Sequence, residues 1–297
     1  MTTAPAAAPR PVIALIGAGL MGGGLARVFR RVGWEVRAWD LHAPALQRLC
    51  DEVPGTRAGA ALEDTVRGAD LVIEAIVERA PVKQVLFAQL AQETGPGTLL
   101  ATNSSVIPVA TVASLVPDED AGRVLGMHFW NPPDLIPLVE VIQGPRTSAA
   151  TIAGALELLR GAGKEPVHVR RDVVPGNRLQ HALWREAMAL VDEGICTPED
   201  VDHIVKSSFG ARLAVLGPLE NADLVGLDLT RQIHEVVLPT LSRATHPAAG
   251  LTSRLDAGRL GISSGDGFYS GWNEEKIASL RARLAAHLRR WFDSKSG

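Results

Sequence analysis

Cysteine is scarce, with Cys50 and Cys196 the two in 297 residues. Neither belongs to a CxxC pair or to a metal-ligand set, so no metal site is expected, and two thiols without an export signal read as reduced residues of a cytoplasmic protein. Lysine is also sparse, no Lys/Arg-rich run occurs, and the formal net charge is −3. That balance excludes the basic footprint of a nucleic-acid or anionic-membrane binder. No apolar run reaches the length that crosses a bilayer. The small, Pro-rich opening MTTAPAAAPR lacks the apolar core of a signal peptide and reads as a frayed leader. Repeats and low-complexity stretches are missing too. What is left is a chain long enough for two ordinary domains, with a composition suited to small-molecule chemistry.

Up to about residue 170, short β-rich runs alternate with helical stretches, the pattern of a mostly parallel sheet covered by helices. Strands are predicted at 12–16, 35–39, 71–76, 98–102, 123–128, 138–142 and 167–169. Beyond Asp172 the strands stop. Helices are predicted over 177–193, 221–242 and 274–292, and Thr197-Pro198-Glu199-Asp200 reads as the capped start of another. This gives an α/β domain over 10–172 and an all-α domain over 173–297. Trp184 and its apolar neighbours read as core of the first long helix.

At the end of the first strand stands Gly17-Ala18-Gly19-Leu20-Met21-Gly22, a GxGxxG between a buried strand and an apolar helix. Gly17 permits the tight turn, Gly19 lets a pyrophosphate approach the backbone, and Gly22 lets the helix pack on the strand. The alternative is a glycine-rich turn with no ligand. Asp40 ends the second strand, eighteen residues beyond Gly22, where a Rossmann fold carries an acid for the adenosine ribose. An acid there favours NAD, because NADP needs a cation for its 2′-phosphate and only His42 is at hand.

The most informative segment is GMHFWNPPDLIPLVEVI, residues 126–142. His128 and Glu140 lie symmetrically about Asp134, so an antiparallel hairpin would set them opposite one another on one face. A carboxylate beside an imidazole orients the ring and strengthens it as a base, which suits removal of a hydroxyl proton while hydride leaves the adjacent carbon. Taken alone, a single His near a Glu is more often a structural pair.

The segment resembles the catalytic stretch of 3-hydroxyacyl-CoA dehydrogenases, a family that includes hydroxy-acid relatives such as lambda-crystallin/gulonate dehydrogenase and carnitine dehydrogenase. Matching segments run along the whole chain: GAGLMGGGLA, DLVIEAIVER, TNSSV, NRLQHALWREAMALVDEGI, GPLENADLVGLD and SGDGFY. The resemblance implies His128 as acid/base with Glu140 as its partner, and Ser105 and Asn177 as polar groups near the substrate oxygen. It also implies Leu20, Met21 and Asn103 at the cofactor, with Glu78 and Lys83 beside the nicotinamide ribose. Ser105 could otherwise cap a helix near Pro108, Asn177 could cap the long helix, and Glu78 with Lys83 could be a surface pair. A homodimer through the helical domain follows from the same resemblance.

Two departures from the family pattern stand out. Val174-Pro175-Gly176-Asn177-Arg178 is shorter than the usual segment before the long helix. The stretch between Asp40 and Asp70 contains Arg48, Arg57 and Arg67 but no lysine, and has room for little more than one helix, where the family carries a helical hairpin whose lysines help hold CoA. The expected activity is therefore reversible hydride transfer between NAD and a secondary 3-hydroxyl on a small hydroxy acid. Arg212, after a break at Gly210, is the candidate cation for its carboxylate. The alternatives are a true 3-hydroxyacyl-CoA or 3-hydroxybutyryl-CoA dehydrogenase, and an NAD-binding structural protein without turnover.

Overall fold

A computed structural model describes residues 10–295, with side chains up to Trp291; apart from Arg10, the opening segment read as a leader lies outside the described residues. The first half runs β1 (Val12–Ile16), α1 (Leu20–Arg31), β2 (Glu35–Trp39), α2 (Ala43–Glu52), β3 (Thr56–Ala58), α3 (Leu62–Val66), β4 (Leu71–Glu74), α4 (Ala80–Glu93) and β5 (Leu99–Thr102). Two short helices, α5 (Val109–Val112) and α6 (Asp118–Ala121), precede β6 (Val124–Phe129), β7 (Leu138–Ile142), α7 (Ala149–Gly161) and β8 (Glu165–Val169). Helices then follow one another: α8 (Pro175–Asp192), α9 (Pro198–Ser207), α10 (Phe209–Leu213), α11 (Pro218–Val225), α12 (Leu227–Val237), α13 (Ala249–Asp256) and α14 (Glu274–Lys295).

The strands form one sheet in the order β3-β2-β1-β4-β5-β6-β7-β8. Every neighbouring pair is parallel except β6 with β7. β1 is covered on both faces, which explains its continuous apolar run VIALI. Ile13 and Leu15 join a core with Phe29, Val36, Phe129 and Leu159 on one face. Ala14 and Ile16 point the other way, into a core with Phe87, Leu90, Leu100 and Val124. The chain reverses its direction of winding between β1 and β4, and in open α/β sheets ligands bind at that switch point, beyond the carboxyl ends of the strands.

Contacts divide the described residues into two compact units: those up to Pro175 together with those from Leu288, and Gly176–His287. Thr197 closes a capping box with Asp200 at the start of α9, as the sequence of that turn requires. The helix expected over 221–242 is instead broken in two, because Gly226 takes a φ of +101° between α11 and α12. The stretch after Asp40 holds more than one helix: α2, the short strand β3 and the five-residue α3. No break falls at Gly210. It lies inside α10, where an added Cβ would come within 2.5 Å of the Val205 carbonyl oxygen, and the turn sits at Ser208 instead.

Candidate active site

The one antiparallel pairing in the sheet sets His128 of β6 opposite Glu140 of β7. His128 Nδ1 and Glu140 Oε2 are 2.7 Å apart, and both residues are buried at 4% exposure. An ionised carboxylate only accepts, so Nδ1 carries the proton and donates it, which leaves the lone pair on Nε2. Nε2 is 3.1 Å from Ser105 Oγ, whose hydroxyl donates to it. Ser105 itself is exposed, so this buried relay opens outward at one end. The Trp130 indole N–H also donates to Glu140 Oε2, at 3.3 Å, and its ring meets the imidazole edge-on with centroids 5.4 Å apart.

The connector between β6 and β7 is held from three sides. Lys164 Nζ donates to the carbonyls of Pro133 and Ile136, and Asp134 pairs with Arg27 of α1 at 3.4 Å. Pro133 packs on α1 at Gly24, where a Cβ would come within 2.3 Å of the ring. Burial, reinforced by the charge of Arg31 and opposed by Asp134, pulls the Lys164 amine down to about 8.

Ser105 is set in place by the residues before it. Ser104 Oγ accepts from Ile107 N at 2.8 Å and donates to Glu78 Oε1. Asn103 Oδ1 accepts from Phe129 N at 2.9 Å, tying this loop to β6. The first amides of α5 bond to Asp172, not to Ser105, so capping does not account for Ser105. Lys83 lies 3.0 Å from Glu78 and 2.5 Å from Glu74 Oε1. Burial raises the Glu78 carboxyl, but bonds from Ser104 and Lys83 outweigh it and leave the group below its ordinary value. The pair is not a surface one, since Lys83 is 1% exposed. Glu74 went unrecognised in the sequence, although an acid inside the apolar run LVIEA is the signal of a buried partner.

At the glycine turn, Gly17 has a φ of +109° and an added Cβ there would lie 2.5 Å from the Ala75 oxygen. A Cβ on Gly22 would lie 2.0 Å from the Gly17 oxygen. Gly19 differs, since nothing stands within 4 Å of its Cβ position, and no side chain caps α1, which starts at exposed Leu20 and half-buried Met21. Open ground before uncapped helix amides suits a pyrophosphate. Asp40 accepts from the amides of Ala18 and His42, both at 2.7 Å, one on each oxygen. A carboxylate has about four acceptor positions, so each oxygen keeps one for a ribose diol. The residues therefore fit a dinucleotide.

In the second unit, α8 begins two residues before half-buried Asn177, which thus sits inside the first turn and not at the cap. Arg212 is exposed on α10. Trp184 is not core: it is 45% exposed and lines a cavity of about 830 Å³ with His181, Arg185 and Met188. The apolar side of α8 has no buried residue. Among the described residues, no group of three His, Cys, Asp or Glu could hold a metal, and no helix is long and apolar enough to cross a membrane.

Residues 12–61 and 51–173 match the family model for the 3-hydroxyacyl-CoA dehydrogenase NAD-binding domain, and residues 175–271 match that for its C-terminal domain. The chain belongs to the 3-hydroxyacyl-CoA dehydrogenase family. It is an NAD-dependent oxidoreductase of that family, acting on a CH–OH group. The family member is 34% identical over 298 residues to 5-formyl-3-hydroxy-2-methylpyridine 4-carboxylate 5-dehydrogenase of Mesorhizobium japonicum, covering 93% of this chain and 95% of that protein. It is 37% identical over 235 residues to L-carnitine dehydrogenase of Streptomyces coelicolor, covering 72% and 73%. A solved structure of a 5-formyl-3-hydroxy-2-methylpyridine 4-carboxylic acid 5-dehydrogenase, described as an NAD+ dependent dismutase, superposes with a TM-score of 0.88 at 32% identity, covering 94% of this chain and 96% of that one.

Proposed function

We propose that the protein oxidises the secondary alcohol of a compact hydroxy acid, with His128 as the base. The observation that carries this reading is the Ser105, His128 and Glu140 relay, in which the basic nitrogen faces an exposed hydroxyl at 3.1 Å. NAD supplies the acceptor for the hydride. His128 Nε2 takes the hydroxyl proton as the carbon gives up its hydride and the carbonyl forms, and Glu140 stabilises the resulting imidazolium. Ser105 holds the substrate oxygen through a hydrogen bond that strengthens as charge develops on it, and the family resemblance gives Asn177 the same task. On the cofactor side, the glycine turn with Leu20 and Met21 takes the diphosphate and Asp40 the adenosine ribose. Glu78, Lys83 and Asn103 serve the nicotinamide half.

A free acid is favoured over a CoA thioester by the stretch between Asp40 and Asp70. CoA phosphates call for several cationic side chains, yet the segment has no lysine. Two of its three arginines are engaged elsewhere, Arg57 with Glu35 and Arg67 with Asp64. Arg212 is the cation proposed for the substrate carboxylate. Steady-state kinetics on 3-hydroxybutyryl-CoA and on free 3-hydroxy acids of similar length test this. A higher kcat/KM for the free acids is expected, and a much higher value for the thioester refutes it.

The reading extends to a cytoplasmic homodimer. Within Gly176–His287, Val201 is the one hydrophobic side chain buried among the described residues, while Leu183, Trp184, Leu224, Leu227, Ile233 and Val236 are exposed. So much uncovered apolar surface is the mark of an interface, and a second copy is the simplest cover. Both cysteines are free thiols, as a reducing compartment requires. Sedimentation at micromolar concentration should give twice the chain mass.

A further inference from the structure

Glu140 Oε2, 2.7 Å from His128 Nδ1, stabilises the imidazolium that forms when the ring takes a proton, so any further donor on that oxygen bears on how strongly the ring holds it. Among the described residues, Glu140 from β7, Ser105 from the segment after β5, and Trp130 two residues along its own chain meet the ring. Of these, Trp130 acts on Glu140 and not on the imidazole nitrogens. Its indole N–H donates to Oε2, the same oxygen that accepts from His128 Nδ1.

We propose that Trp130 is a positioning residue that sets the basicity of His128 by sharing the carboxylate oxygen on which the imidazole leans. A donor on Oε2 draws negative charge from it, so the imidazolium is stabilised less and the ring gives up its proton at lower pH. The edge-on contact of the rings at 5.4 Å adds a wall that holds the imidazole in line with Ser105. Indole has a donor and no acceptor, so Trp130 tempers the carboxylate without competing for the His128 proton. Phenylalanine would supply the wall and not the donor. The proposal rests on the reading of His128 as the base.

The test is proton NMR of the His128 Cε1–H in the full-length protein, assigned by its loss in His128→Gln. In Trp130→Phe the resonance should titrate about half a pH unit higher than in the parent protein. In a Glu140→Gln background the same substitution should add little, because the negative charge that the indole tempers is gone. Uniform labelling with 5-fluorotryptophan, which strengthens the indole donor without deleting a side chain, should move the titration downward. An unchanged or lowered titration in Trp130→Phe, an equal shift in the Glu140→Gln background, or no downward shift on labelling overturns the proposal. The rates separate it from the reading beneath. The acidic limb of kcat/KM for oxidation and the alkaline limb for reduction should both rise with the resonance. A resonance that shifts while neither limb follows refutes His128 as the base and leaves the Trp130 relation standing.

Discussion

Glu74 and Lys83 are sealed from solvent, at 0% and 1% exposure, and meet at 2.5 Å. Glu74 also accepts from Thr102 Oγ1 and from Ile76 N, so the carboxylate ends β4, fixes β5 and neutralises a buried ammonium. Glu78, the second partner of Lys83, is 37% exposed in its side chain. Glu74→Gln should therefore destabilise the protein by about 3 kcal/mol, since it leaves a buried charge short of its main partner. Glu78→Gln should cost less than about 1 kcal/mol. Urea unfolding of both variants checks this, and equal losses would contradict the ranking.

Lys164 makes stability depend on pH. Its amine sits at about 8 in the folded protein, against an ordinary 10.5. Between those values the unfolded chain binds the extra proton, so this group makes stability rise as pH goes from about 8 to 10.5 and contributes no slope below pH 8. Lys164→Met removes that slope. The unfolding free energy of the parent minus that of the variant should rise as pH goes from 8 to 10, and parallel curves would contradict the assignment.

The cofactor assignment predicts that the unmutated enzyme prefers NAD to NADP by a wide margin, because Asp40 repels a 2′-phosphate. Asp40→Ala should narrow that margin mainly by weakening NAD, and should also loosen the turn at Ala18 that the carboxylate holds. Gly22→Val should abolish NAD binding, since even a Cβ there meets the Gly17 oxygen at 2.0 Å. Fluorescence titration with NADH and with NADPH reads all three proteins.

Much of this was legible beforehand, and the exceptions have physical causes. The spacing of His128 and Glu140 about Asp134 already contained the antiparallel register of β6 and β7, because a hairpin leaves few ways to pair its strands. The strand expected over 71–76 stops at Glu74, whose side chain takes the amide of Ile76 instead of continuing the ladder. β3 is three residues long with two of them exposed, too short to show a period. Trp130 reads as one more apolar residue until its N–H is seen on Glu140, and Lys164 as a loop residue until its carbonyl partners are known. Hydrogen-bond partners distant in sequence carry no local signal.

On the proposed mechanism His128 is the base of an NAD-dependent alcohol oxidation. NADH formation, followed by absorbance with the best substrate from a panel of free 3-hydroxy acids and 3-hydroxybutyryl-CoA, tests it most directly in His128→Gln. Turnover should fall by roughly a hundredfold or more while NADH affinity is kept, with a smaller loss in Glu140→Gln. Near-normal turnover in His128→Gln on that substrate would rule out His128 as the base.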